Sequence, residues 1–300
     1  MTVRLRASAL NWHDVLVREG RYGSPLPHVI GADGAGVVEG RGDEVMIVPS
    51  LWWGDRQAGP GEHWQILGDH IPGTYAELVG VPAECVVPKP PGWSWVEAAA
   101  FPLVGLTTFR ALFTRGRLCT GESLLVLGAG GGVATTAVMF GAAAGAEVVV
   151  TSSSQAKISA ARGLGARDGV LYTESDWVAA ARSMSPAGRG FDVVLDSVGS
   201  WADAIRTLRP GGRLVVLGAS HATTAQLDIR PYYFGQYDLL GTTMGSVSDF
   251  AGLVGFMNSY SVPPPVIDRV FALEDAAAAH EYLESGEGVG KVVLDVAGSL

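Results

Sequence analysis

Apolar and polar positions divide the chain into two regimes. Before about residue 95 the apolar runs are short, alternate with polar residues and are broken by glycine and proline, as in Val3–Ala7, Gly42–Val48, Gly73–Val79 and Glu84–Lys89. That period-two alternation predicts a small β-rich domain. It also holds two short helices, Trp12–Arg18 and Trp93–Ala100; in the first, Asp14 and Arg18 lie one turn apart and predict a surface ion pair. From Leu106 the pattern changes. Apolar runs at Leu124–Leu127, Glu147–Thr151, Gly169–Leu171, Asp192–Asp196, Arg213–Leu217 and Asp238–Gly241 alternate with helical stretches such as Ala156–Leu164, Trp177–Ser183 and Trp201–Thr207, the last closed by Pro210-Gly211-Gly212. Strands separated by helical crossovers predict an α/β, doubly wound parallel sheet. Beyond Val247 come a helix at Asp249–Ser259, a rigid Pro263–Pro265 hinge, a strand at Val266–Phe271, a helix at Leu273–Ser285 and a strand at Lys291–Val296. This tail is expected to rejoin the β-rich part, so that residues 1–105 and 246–300 form one domain and 106–245 the other.

One stretch carries chemistry. The strand ending at Leu127 runs into Gly128, Ala129, Gly130, Gly131 and Gly132, then a helical segment, then the strand Glu147–Thr151. Strand, glycine turn, helix and strand in about thirty residues form a unit that can bind a dinucleotide, with the pyrophosphate against bare backbone N–H groups at the positive helix end. Ala134 stands at the third glycine position, an accepted replacement. Leu124–Ala146 has no charged residue and is long enough to suggest a membrane span. Its six glycines, clustered at a turn and a helix end, argue against that. Where an NAD fold carries an acid for the ribose 2′-hydroxyl, this chain has Thr151-Ser152-Ser153-Ser154, with Lys157 a turn later. Hydroxyls and an ammonium suit a 2′-phosphate and predict NADPH; Ser153 and Ser154 also fit as caps of the helix starting near Gln155.

Composition narrows the classes. Three hundred residues suggest two domains, and 48% apolar content can bury both cores. A net charge of −9 argues against nucleic-acid or anionic membrane partners. Two cysteines far apart, Cys85 and Cys119, offer no disulfide framework and fit a reducing compartment. With no signal-peptide core at MTVRLRASALNWHD, a cytoplasmic location is expected.

Taken together, ALNWHDVLVREGRY, GADGAGVVE, GTYAELV, LTTFRALF, GESLLVLGAGGGVATTA, TSSSQAK, LDSVG, GGRLVVLG, LLGTTMGS and GVGKVVL resemble the medium-chain dehydrogenase/reductase superfamily, in its zinc-independent quinone oxidoreductase-like branch. The resemblance implies a GroES-like catalytic domain, a Rossmann domain with the cofactor in the cleft between them, and a homodimer through the Asp238–Met244 edge. In relatives two further strands precede the one at Val3. The exposed edge this leaves is expected to be covered by an oligomer contact, a loop or the C-terminal segment. The three metal-ligand positions of zinc-dependent members match Asn11, Ala32 and Leu103, none an adequate replacement for a Cys or His ligand. The segment Leu51–Gly68 lacks the four cysteines of the structural-zinc lobe, and His63 and His70 lack a ligand cluster, so no metal is expected.

The resemblance further implies roles for single residues. Asn11 and Thr107 would contact the nicotinamide end, and Gly131, Gly132 and Val133 the pyrophosphate. Ser152, Ser153 and Lys157 would hold the 2′-phosphate, with Tyr172 near it. Gly218 would lie under the nicotinamide, and Lys291 would approach the phosphates. Each also has an ordinary reading: Asn11 and Thr107 as turn or cap residues, Tyr172 as core, Lys291 as surface. Candidate proton donors are Tyr22, His13 and Tyr233, with solvent a fourth; Trp52 and Trp53 fit either an aromatic pocket or core packing. The implied activity is NADPH-dependent reduction of a quinone or α,β-unsaturated carbonyl. Alternatives are a zinc-free carbonyl reductase or alcohol dehydrogenase, and an NADPH-binding protein with little catalysis.

Overall fold

The computed structural model describes residues 1–298. Two compact units emerge: 1–106 with 244–255 and 263–300, and 107–243 with 256–262.

The first unit is built on a sheet ordered Ile267–Ala272, Lys291–Asp295, Thr2–Ala9, Asp33–Val38, Glu44–Ile47, Val86–Pro88. The opening strand is its centre. Along one side it pairs antiparallel with Asp33–Val38. The other side is shared: Thr2–Arg4 pair with Leu78–Gly80, and Ala7–Ala9 pair with Val293–Asp295 of the C-terminal strand. The edge that the sequence left open is therefore closed within the chain, by a loop strand and by the tail. Strand contact is tight here, because a Cβ on Gly36 would lie 2.1 Å from the Arg4 carbonyl oxygen.

Three further glycines strap a loop to this sheet. Cβ atoms on Gly68 and Gly73 would fall 2.4 and 2.2 Å from the Gly31 carbonyl oxygen, and Gly31 itself has φ +108°. Backbone bonds from Gly73 N to Val29 O (2.7 Å), Thr74 N to Gly31 O (2.9 Å) and Tyr75 N to Ile30 O (3.0 Å) complete the seam. Only glycine permits so close an approach. Much of the expected strand Gly73–Val79 is taken up by this seam, and the ladder pairing begins only at Leu78.

The second unit is a six-stranded, wholly parallel sheet ordered Asp168–Leu171, Glu147–Ser152, Ser123–Leu127, Phe191–Asp196, Leu208–Val216, Asp238–Gly241. With the first strand in the chain third in the sheet, the order reverses between Ser123–Leu127 and Phe191–Asp196, as in a Rossmann fold. The strands at Ser123–Leu127 and Glu147–Ser152 are buried almost throughout, as apolar parallel strands covered by helices must be. Leu208–Val216 starts earlier than expected: Pro210-Gly211-Gly212 does not close the preceding helix but bends the strand, with Gly211 at φ +73°. No helix among the described residues is long and apolar enough to cross a membrane.

The seam at Gly36 gives a direct test. Gly36→Ala forces a methyl against backbone that cannot turn away, so it should lower unfolding free energy by about 3 kcal/mol, read by denaturant titration.

Candidate active site

In the second unit, the turn after Ser123–Leu127 leaves with Gly128 at φ +102°, and the Gly128 N–H donates to Thr151 Oγ1 at 3.1 Å. This bond ties the turn to the end of the neighbouring strand. The helix Gly132–Ala143 starts from Gly131, which supplies no side-chain cap. Its first internal bond at this end runs from Thr135 N to Gly131 O. Earlier N–H groups of a helix have no partner inside it. A Cβ on Gly131 would project into open space, with no atom within 4 Å. A bare helix start with an open cradle in front of it fits a dinucleotide pyrophosphate, against Gly131, Gly132 and Val133. Ala134, buried behind the turn, would touch a Gly128 Cβ only at 4.0 Å, so the missing third glycine costs no space.

At the end of the second strand the structure brings Ser152, Ser154, Lys157 and Tyr172 together. Ser152 Oγ accepts from Ser154 N (3.1 Å), and Ser154 Oγ caps the helix Gln155–Gly163 by accepting from Lys157 N (3.4 Å). Tyr172 N donates to Ser152 O at 3.0 Å, and the residue is 47% exposed, so it is not core. Ser153 is exposed and Lys157 half-buried. Gly218 has its own steric reason: a Cβ there would lie 2.3 Å from the Ser197 carbonyl oxygen. Asp196, at the end of the fourth sheet strand, is fully buried; its Oδ1 accepts from Val198 and Gly199 N–H, and burial raises its pKa. Thr107 is buried within the helix Pro102–Phe109.

In the first unit the residues matched to metal ligands surround something else. Asp33 is wholly buried; its Oδ1 accepts from Leu103 N (2.7 Å), and its Oδ2 from Asn11 Nδ2 (3.0 Å) and Lys291 Nζ (3.1 Å). Lys291 Nζ also donates to Asn11 Oδ1 at 2.5 Å. Asp14 lies alongside, accepting from Asn11 N (2.7 Å) and Ala32 N (3.1 Å). Burial raises both carboxyl pKa values, Asp14 to about 7; for Asp33 the Lys291 ammonium and three donated bonds act against it.

Two expectations change here. Asp14 makes no surface ion pair with Arg18; it is 0% exposed and caps its own helix, while Arg18 pairs with Glu284. Lys291 is a buried lysine, not a surface one; Asn11 keeps its expected place as the N-cap residue of Trp12–Arg18, with both amide atoms taken up. Sequence reasoning missed Asp33 and Asp14 as site residues. The Asn-x-x-Asp spacing of a capping box was the available signal for Asp14; nothing local marks Asp33.

Two of the three proton-donor candidates meet. The rings of His13 and Tyr22 lie 4.8 Å apart. Burial lowers the His13 pKa against the pull of Asp69, and burial and Asp69 together raise that of Tyr22. Asp69, overlooked in the sequence, sits on the glycine-strapped loop, accepts from Ser24 Oγ (2.8 Å) and faces His70 Nδ1 (3.2 Å). Tyr233 instead lies on the exposed helix Ile229–Gly235 of the second unit. Trp53 packs edge-on against Trp64 and is buried, whereas Trp52 is 44% exposed. His63 is exposed, and no group of three or more His, Cys, Asp or Glu among the described residues is arranged to hold a metal ion.

The fold and these motifs define a nicotinamide-dependent oxidoreductase of the GroES-plus-Rossmann type. Residues 1–91 match the alcohol dehydrogenase GroES-like domain and residues 132–259 the zinc-binding dehydrogenase family. A zinc-type alcohol dehydrogenase-like protein of Schizosaccharomyces pombe is 32% identical over 98% of this chain and 90% of its own length. The 2-methylene-furan-3-one reductase of Solanum lycopersicum is 33% identical over 97% of this chain and 70% of its own. A crystal structure described as an NAD-dependent alcohol dehydrogenase superposes with TM-score 0.92 at 38% identity, covering 99% of this chain and 91% of its own. The chain belongs to the medium-chain dehydrogenase/reductase superfamily.

Asp14 yields a pH prediction. A carboxyl raised from 3.8 to about 7 by folding contributes stability that is full below the unfolded value and is lost as pH rises through the folded one. Relative to Asp14→Asn, wild type should therefore lose stability between those two pH values, by roughly 4 kcal/mol at most, and run parallel above them. Denaturant midpoints across pH for both proteins check this; parallel curves throughout contradict it.

Proposed function

We propose that this protein is an NADPH-dependent reductase that delivers hydride to a quinone or an α,β-unsaturated carbonyl without zinc. The observation that carries the cofactor reading is the bare Gly131 helix start beside a strand end furnished with Ser152, Ser153 and Lys157 instead of an acid. A bound nicotinamide supplies the hydride; the chain's residues bind and orient its carrier. The 2′-phosphate brings close to two negative charges, which the hydroxyls and the Lys157 ammonium favour and a carboxylate there would repel.

The names of relatives speak of zinc, but in this chain the matched positions are Asn11, Ala32 and Leu103. Without three ligand side chains, a substrate whose negative charge delocalises is the easier one, since hydrogen-bond donors then suffice. Reduction of a conjugated ketone agrees with the name of the tomato relative. Tyr22, whose phenol carries its proton at neutral pH, is the proposed proton donor, with His13 beside it. A homodimer is proposed through Asp238–Gly241, the last strand of its sheet. A second reading, an alcohol dehydrogenase using NAD, draws on the 38% identical structure with that description.

Fluorescence titration with both cofactors separates these readings. A charge-assisted bond contributes roughly 1.5–3 kcal/mol, so Lys157→Ala should weaken NADPH about ten- to hundredfold and leave NADH nearly unchanged. Equal affinities in wild type overturn the cofactor choice. Following NADPH absorbance over a panel of quinones, enones and simple ketones tests the substrate class: turnover of simple ketones alone favours the second reading.

A further inference from the structure

One arginine side chain of the first unit is partly withdrawn from water and has no partner. Arg6 is half-buried, and its guanidinium has no hydrogen-bond acceptor or ion-pair partner among the described residues. The other half-buried arginines, Arg115, Arg182, Arg209 and Arg213, each donate to a carbonyl or a carboxylate. A charged donor withdrawn from water without an acceptor is costly, and nothing within the chain offsets that here. The backbone explains how the side chain is aimed. Leu5 faces Gly36 and Ala7 faces Ala35 on the next strand, so Arg6 is the extra residue of a β-bulge. Bulges redirect side chains, and this one is held by bonds from Val296 N (3.0 Å) and Ala297 N (3.3 Å) to the Arg6 carbonyl oxygen.

Arg6 lines a cavity of about 460 Å³ between the sheet and the start of the helix Trp95–Ala99. That is the size of small-molecule sites and, as in them, apolar side chains dominate the walls, here Val37, Val96 and Trp95. Two carboxylates also line it, and both are engaged elsewhere. Glu44 pairs with Lys89 Nζ (3.2 Å), which stands 5.2 Å from the centre of the Trp95 ring. Asp295 Oδ1 accepts from Ala297 N at 3.1 Å. Neither pairs with Arg6. Their negative charges still limit what can enter: a single anionic group facing Arg6 is matched, whereas a dianion would be repelled.

We infer that this cavity binds a planar aromatic monocarboxylate, its carboxylate on Arg6 and its ring among Val37, Val96 and Trp95. A guanidinium presents parallel N–H donors that match the two oxygens of a carboxylate. A flat ring fills the apolar part and offers its face or edge to the indole. The site lies apart from the residues assigned to hydride chemistry. Asp295 ends the strand that Lys291 begins, and neither Arg6 nor Trp95 takes part in the Asn11, Asp33 and Lys291 cluster. Binding there does not depend on the proposed hydride transfer.

Calorimetric titration of the full chain with 1-naphthoate tests this, with uncharged 1-naphthamide as its isostere. Wild type should bind the carboxylate about tenfold more tightly than the amide, or better, with or without saturating NADPH. Arg6→Met keeps an unbranched side chain, removes the guanidinium and breaks no side-chain bond of the fold. It should weaken 1-naphthoate about tenfold or more and leave the amide within about twofold. Arg6→Lys should fall between, because an ammonium lacks the planar fork. A wild type that binds neither probe at millimolar concentration, or takes the amide as well as the acid, overturns the inference. So does 1-naphthoate binding that Arg6→Met leaves unchanged or that NADPH displaces.

Discussion

A buried carboxylate has to be given donors, and Asp33 draws them from three distant parts of the chain. Its partners are the Asn11 amide, the Leu103 backbone N–H and the Lys291 ammonium. Loss of any one would leave a charge or a dipole stranded away from water. The arrangement needs the C-terminal strand beside the opening strand, and that is how the sheet is ordered, with Ala7–Ala9 against Val293–Asp295. Asp14 adds a second tie by accepting from both Asn11 and Ala32, joining the first helix to the start of Asp33–Val38. The sheet and the polar cluster thus support each other.

Glycine does two opposite jobs in this protein. At Gly36, Gly68 and Gly73 the absent side chain lets backbone meet backbone, at Gly31 it leaves room for the Tyr75 ring, and any Cβ would strike a neighbour. At Gly131 the absent side chain leaves space unfilled in front of a helix start. The first kind holds the loop that carries Asp69 towards His13 and Tyr22; the second leaves room for a ligand. Gly218, which its position in the motif alone would place with the second kind, belongs sterically with the first.

The positions that the resemblance matches to metal ligands carry an amide, a methyl and an isobutyl side chain, and beside them lies the buried Lys291–Asp33 ion pair.

Patterns that repeat along the chain were legible in the sequence, because local periodicity and turn chemistry encode them. The parallel strands, the helices Trp177–Ser183 and Trp201–Thr207, and the glycine turn with its hydroxyl-rich neighbour all appear where alternation and spacing place them. Helix-end chemistry was half legible: Ser154 was read as a cap, while Asp14, with the right spacing after Asn11, was read as a surface ion pair. Side-chain partners between distant segments were not legible at all. Nothing in GADGAG indicates that Asp33 will meet a lysine near the C-terminus, or that Asp69 will face His13 and Tyr22. Periodicity tells which side of an element is buried, but a buried charge finds its partner only when the sheet order brings remote strands together, and that order was decided by the tertiary structure.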